Sequence, residues 1–201
     1  CAARETLGVR GWPATPPAAD TLSAGAEPLL DLAETLLALG ETSDAMLDME
    51  LSAVLPLGDI QYEDGTLEKF LQSFEPSWGR LKGIMRPVPG NHEYRDPGAK
   101  GYFDYFNGIG QPDGLAGPTG RGYYSYDLGA WHVVVLDTNN MCLLVKCGAT
   151  SAQVKWLRAD LAASTAPCTV AIWHHPRFSS GFHGSSTTYE PFWDALYQYG
   201  A

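Results

Sequence analysis

Three apolar runs in this chain each end in side chains of metal-ligating type, and that repetition constrains the fold most. Val54-Leu55-Pro56-Leu57 runs into Gly58-Asp59-Ile60-Gln61-Tyr62. Ile84-Met85-Arg86-Pro87-Val88 runs into Pro89-Gly90-Asn91-His92-Glu93-Tyr94. Thr169-Val170-Ala171-Ile172-Trp173 runs into His174-His175-Pro176. Short apolar runs bounded by turn residues read as buried strands. Buried strands that carry polar side chains at their C-terminal ends describe a ligand site on an α/β sheet.

Each residue has an ordinary alternative. Asp59 fits a turn or a helix cap, Asn91 and His92 are common turn formers, and Tyr62 fits packing at the edge of a core. In the functional reading Asp59 is a short, stiff carboxylate able to bridge two ions. Asn91 supplies a neutral carbonyl oxygen, which keeps the site open to an anionic substrate. Tyr62 as a ligand needs a depressed pKa and so a highly charged ion beside it. His92, held next to the ions, contacts a phosphoryl oxygen or protonates a leaving group, and Glu93 orients it. His174 is a ligand with His175 in support, Pro176 fixing the turn after them. His183, in a Ser/Gly loop, reaches over the site as a substrate contact or general acid. His132 lies inside a β-patterned stretch and is assigned to structure.

The 201 residues fit one domain with a sizeable core. Apolar residues are 45% and charged residues 18%, a globular composition. Lys and Arg number 13 against 23 Asp and Glu, a net charge of −10. That balance disfavours nonspecific binding to nucleic acid or anionic lipid. No apolar run is long enough to span a bilayer, and the chain opens on Cys1 without a basic-then-apolar leader pattern. None of the four cysteines has C-x-x-C spacing, which disfavours structural zinc. Cys142 and Cys147 flank a short loop; a disulfide closing it and free thiols are both compatible with the sequence.

Residues 1–52 read as an irregular arm followed by a helical segment, and residues 53–201 as the domain proper. Leucines at helical spacing place a helix over Glu27–Leu39 with Gly40 as its stop, and Asp44–Leu51 adds a shorter piece. Thr66–Phe74 is a helix with Leu67, Phe70, Leu71 and Phe74 on one face. Residues 95–122, rich in Gly, Pro and aromatics, read as a long ordered surface loop. A hairpin turns near Leu128-Gly129, Ser151–Ala163 is a helix burying Val154, Leu157 and Leu161, and Phe192–Tyr199 begins a last helix.

Gly58-Asp59-Ile60-Gln61-Tyr62, Gly90-Asn91-His92-Glu93 and Ala171-Ile172-Trp173-His174 resemble the central motifs of the calcineurin-like metallophosphoesterases. The Tyr after Gly-Asp and the Glu after Asn-His are similar to the purple acid phosphatase branch. The resemblance implies a four-layer α/β/β/α sandwich with mixed sheets. It also implies two divalent or mixed-valence metal ions (Fe, Zn or Mn) and hydrolysis of a small phosphorylated substrate. By carry-over Asp59 bridges the ions, Asn91 and His174 hold the second, Tyr62 touches the first, and His92 and His183 contact substrate. The family's early Asp motif and its Gly-His-x-His motif have no counterpart here, so the chain as written is expected to be a fragment with an incomplete site. The rival is a non-catalytic binding module that keeps the sheet. A Ser/His hydrolase using Ser179 or Ser180 with His183 lacks the Gly-x-Ser-x-Gly elbow. The cysteines, the acidic balance and the resemblance together imply an extracellular or periplasmic protein.

Overall fold

In a computed structural model of the chain, residues 40–201 are described. The expected helix over Glu27–Leu39 lies outside them. Gly40 is helical and not a stop: helix α1 covers 40–47, and Met46 and Leu51 pack onto the core beyond it.

The main sheet has the order β1-β2-β3, with β1 Tyr124–Leu128, β2 Trp131–Val135 and β3 Cys168–Ile172. β1 and β2 are an antiparallel hairpin closed by two residues, Gly129 and Ala130. β2 and β3 are parallel, so the chain must cross over between them. Helices α4 (Asn139–Cys142) and α5 (Ala152–Ala163) make that crossing. Ser151 caps α5 by accepting the Val154 N–H at 3.2 Å. Cys142 and Cys147 are disulfide-bonded across the intervening loop, with Cα atoms 5.6 Å apart, and Cys168 is disulfide-bonded too.

The other two runs pair with each other as parallel bridges, Val54 with Met85 and Leu57 with Val88. Val54 N–H donates to Ile84 O, Arg86 N–H to Val54 O and Val88 N–H to Pro56 O. The next bond of that alternating ladder would come from the nitrogen of residue 56, and proline has no hydrogen to give. Two strands expected from the sequence are therefore present as a pair with an interrupted ladder.

Side-chain alternation orders the layers. On β1, Ser125 and Asp127 face one way, and Ser125 Oγ donates to Asp160 of α5 at 2.7 Å. Tyr124 faces the other way, and its hydroxyl donates to Pro87 O at 2.9 Å. Tyr102 donates to that same carbonyl at 3.0 Å. Helix α5 and the last helix, α6 (Glu190–Gln198), cover the outer face of the sheet through Val134, Leu157, Leu161, Phe192 and Leu196. The bridged pair covers the inner face. A helical segment, α2 (Leu67–Lys69) running on as a π turn over Phe70–Phe74, closes the far side with α3 (Lys100–Asn107). The architecture is thus α/β in four layers.

Helix α3 corrects the expectation of a surface loop over 95–122. Tyr102, Phe103, Tyr105 and Phe106 are all buried in it. Positions 102, 105 and 106 stand at helical spacing, and Tyr105 stacks on Phe70 with ring centroids 4.8 Å apart. Flanking Gly and Pro disguise a short aromatic helix as a loop.

Candidate functional site

The three polar ends meet at one edge of the fold. Gly58 and Gly90 permit the approach. A Cβ on Gly58 would stand 2.6 Å from His174 Nδ1, and one on Gly90 would stand 2.2 Å from Asp59 Oδ1. Asp59 itself adopts a left-handed backbone, φ 51°, which a non-glycine residue holds only when its surroundings over-determine it.

Glu93 does the determining. Its carboxylate is fully buried and accepts four backbone N–H groups. Oε1 takes Ile60 and Gln61, at 2.9 and 3.1 Å, and Oε2 takes Asp59 and Gly90, at 2.9 and 2.7 Å. Burial raises the Glu93 pKa above its ordinary value, and the N–H donors oppose that rise. With four donors aimed at two oxygens, the geometry suits the ionised form. Glu93 therefore ties the Asp59 turn to the Asn91 turn and does not touch the His92 ring, which the sequence expectation had it orient. The His92 ring is held through Nδ1 by the carbonyl of Glu63, at 2.7 Å.

Around Asp59 the side chains converge. Oδ1 accepts the His92 N–H at 2.9 Å. Oδ2 has His174 Nε2 at 3.3 Å, the Tyr62 hydroxyl at 3.4 Å and His92 Nε2 at 3.9 Å. Burial alone would raise the Asp59 pKa, but the His174 contact and the His92 N–H bring it down to about 2. His174 Nδ1 lies 2.8 Å from the carbonyl of Leu57, an acceptor only, so Nδ1 carries the hydrogen. Its Nε2 then faces a carboxylate and needs either a proton or a cation between them. Burial pulls the His174 pKa down, while Asp59 and the Leu57 carbonyl raise it above the ordinary value. The Tyr62 phenol is pushed up by burial and by Asp59, so a phenolate there requires a positive ion.

These donors fit a metal ion. Two ligands each about 2.1 Å from one tetrahedral ion stand about 3.4 Å apart, the spacing of Asp59 Oδ2 from His174 Nε2 and from Tyr62 Oη. Among the described residues, no group of three or more His, Cys, Asp or Glu side chains forms a full cage. The convergent set is the Asp59 carboxylate, the His174 imidazole and the Tyr62 phenol, with the His92 imidazole farther off at 3.9 Å. Asn91 stands between Gly90 and His92, half-buried, and its amide makes no hydrogen bond among the described residues. His175 turns away from Asp59: Thr138 Oγ1 accepts its N–H and lies 3.0 Å from its Nδ1. Burial and the neighbouring His174 lower the His175 pKa to about 4. His183 is exposed in the 177–188 loop, its ring against Phe182, and is not brought to Asp59.

One contributor went unread. Val133–Leu136 runs into Asp137-Thr138-Asn139, the same form as the three runs singled out from sequence. Asp137 is fully buried. It accepts the Tyr94 hydroxyl and the Asn139 N–H, and burial raises its pKa to about 6. Asp137 and Thr138 thereby join the Asn91 turn to the His174 turn.

The fold is thus a four-layer α/β sandwich with a cluster of metal-ligating side-chain types at its strand ends. Residues 29–200 match the calcineurin-like phosphoesterases, and the chain belongs to that family. It is similar to purple acid phosphatase 15 of Arabidopsis thaliana, 26% identical over 83% of this chain and 33% of the relative. It is also similar to purple acid phosphatase 23 of the same plant, 27% identical over 79% of this chain and 40% of the relative. The chain thus spans two fifths or less of the length of these curated relatives. Among the described residues no helix is long and apolar enough to cross a membrane.

Proposed function

We propose that this chain carries part of the catalytic centre of a metal-dependent phosphoesterase, acting on small phosphate esters at a two-metal site. The observation that supports this reading best is the donor set around one oxygen, Asp59 Oδ2, with His174 Nε2 at 3.3 Å and Tyr62 Oη at 3.4 Å. In this reading Asp59 would serve both ions, Asn91 and His174 would hold one, and Tyr62 would hold the other. The donor set suits Fe, Zn or Mn. Bound there, such ions would supply positive charge for the phosphoryl oxygens and lower the pKa of a water.

The chain's own groups do the rest. The Leu57 carbonyl fixes the His174 tautomer that presents Nε2. Glu93 holds the Asp59 and Asn91 turns in register. His92 Nε2, its ring anchored at Glu63, contacts the phosphoryl group or passes a proton to the leaving oxygen. His183 stands exposed outside the Asp59 cluster and would contact substrate only after movement of its loop. The Cys142–Cys147 disulfide supports an oxidising compartment, extracellular or periplasmic.

The test uses the full-length protein loaded with each metal and 4-nitrophenyl phosphate as probe. Asp59→Asn and His174→Ala are expected to lower kcat/KM by about 100-fold or more and to release bound metal. His92→Ala is expected to lower turnover while metal stays bound. Turnover that survives chelation, or is unchanged in Asp59→Asn, would overturn the reading. Metal uptake without turnover would replace it with the binding module.

A further inference from the structure

A second cavity lies at the other end of the 85–88 strand. It has a volume of about 390 Å³ and opens between β1, the 113–121 loop and α5. None of Asp59, Asn91, His92 or His174 lines it. Arg86, which does, precedes Asn91 by five residues of extended chain, roughly 16 Å.

Its lining is unusual for so acidic a chain. Arg86 and Arg121 both face it, with Tyr124, Tyr126 and Trp156 as walls. Elsewhere Arg80 pairs with Asp44, Arg95 with Glu63 and Arg177 with Glu190, while Arg158 donates to the Gln198 amide oxygen. Among the described residues Arg86 and Arg121 have no acidic partner, and Asp113, on the same cavity wall, pairs with neither. The Arg86 guanidinium lies 5.4 Å over the Tyr126 ring and gives one hydrogen to Met85 O at 2.7 Å, leaving most of its donors free. Two guanidinium groups without an acidic partner on one cavity wall suit an oxyanion.

We propose that this cavity binds a small aromatic molecule carrying an oxyanion head, a carboxylate or a phosphonate-like group. The head sits at Arg86 and Arg121; the ring lies against Trp156. A cavity of this volume falls in the range of small-molecule sites, and paired guanidinium groups match an oxyanion's flat array of acceptors. The site is separate from the proposed metal centre and does not depend on it.

The experiment is a calorimetric titration of the full-length protein with phenylphosphonate, whose carbon–phosphorus bond is not an ester, in the presence of excess chelator. Benzoate, inorganic phosphate and benzyl alcohol are titrated alongside. One-to-one binding of phenylphosphonate or benzoate is expected, weakened about tenfold by Arg121→Ala and by Arg86→Gln. Quenching of indole fluorescence by the probe should disappear in Trp156→Phe. Arg121 is exposed, so its replacement leaves the fold intact, and Arg121→Lys, which keeps the charge without the fork, should fall between wild type and Arg121→Ala. No saturable binding up to about 10 mM would overturn the proposal, as would affinity unchanged in both Arg121→Ala and Arg86→Gln. Benzyl alcohol binding as tightly would remove the oxyanion from it, and inorganic phosphate binding as tightly would remove the ring.

Discussion

The two strand layers of this protein are held together by opposite means. In β1-β2-β3 the backbone does the work: the ladder is continuous over five residues in each pairing. In the 54–57 and 85–88 pair the ladder is broken at Pro56, and only isolated bridges remain. Yet this second layer delivers Asp59, Asn91 and His92. What the broken ladder lacks, Glu93 supplies with four N–H bonds reaching across both turns. A ladder fixes strands, whereas a buried carboxylate fixes the turns beyond them. The side-chain device sits where placement to a fraction of an ångström matters.

The largest expected effect follows from removing that device. Glu93→Ala leaves four N–H groups with no acceptor inside the protein, and it should cost about 4 kcal/mol or more. Urea unfolding gives the loss. Hydrogen exchange gives its location: the amides of Asp59, Ile60, Gln61 and Gly90 should exchange fast while those of β2 stay protected. Uniform loss of protection across both layers would show that the two layers are one cooperative unit, and the contrast drawn above would fail.

The reverse experiment is a cavity in the ladder layer. Leu157 is fully buried between α5 and the sheet, and Leu157→Ala should cost about 3 kcal/mol. Because the sheet's own hydrogen bonds remain, the amides tied to Glu93 should keep their protection under native conditions. Their loss would place the mechanical centre of the fold in α5 and not at Glu93.

Much of this was legible in sequence, for a reason that also explains the failures. Asp59, Asn91 and His174 stand out because a ligand-type side chain directly after an apolar run is a local pattern, and the run itself forces it to a strand end. Asp137 had the same pattern and was overlooked because an Asp-Thr-Asn sequence is also a common turn. The role of Glu93 is of another kind. Its partners lie more than 30 residues away as well as three, and no period or spacing encodes an acceptor for remote backbone groups. The interruption at Pro56 was visible as a residue, but its consequence depends on which strand lies opposite. Helix α3 was hidden by Gly and Pro on either side, although the spacing of Tyr102, Tyr105 and Phe106 carried the signal.

The smallest predicted effect sharpens the comparison by asking whether the ladder layer also uses charge. His132 on β2 is buried and has both ring nitrogens occupied, Nδ1 by Asp127 of β1 and Nε2 by Asp160 of α5, each at 2.8 Å. Ser125 holds the other oxygen of Asp160. Burial pulls the His132 pKa down, but the two carboxylates outweigh it and raise the pKa above its ordinary value of 6.5. A histidine whose folded pKa is raised adds stability that is fully present below the unfolded value and is lost as the pH climbs through the folded one. His132→Asn should therefore cost on the order of 1 kcal/mol at pH 6 and progressively less in alkaline solution, where the neutral ring can donate to only one of its two acids. Urea midpoints of wild type and variant, taken from pH 5 to pH 9, give that difference. Asp127→Asn should show a weaker version, since Asp127 is largely exposed and Asp160 is not. A difference that stays constant across the range would mean the clamp acts through shape and not through charge, and the ladder layer would then owe its stability to backbone and packing alone.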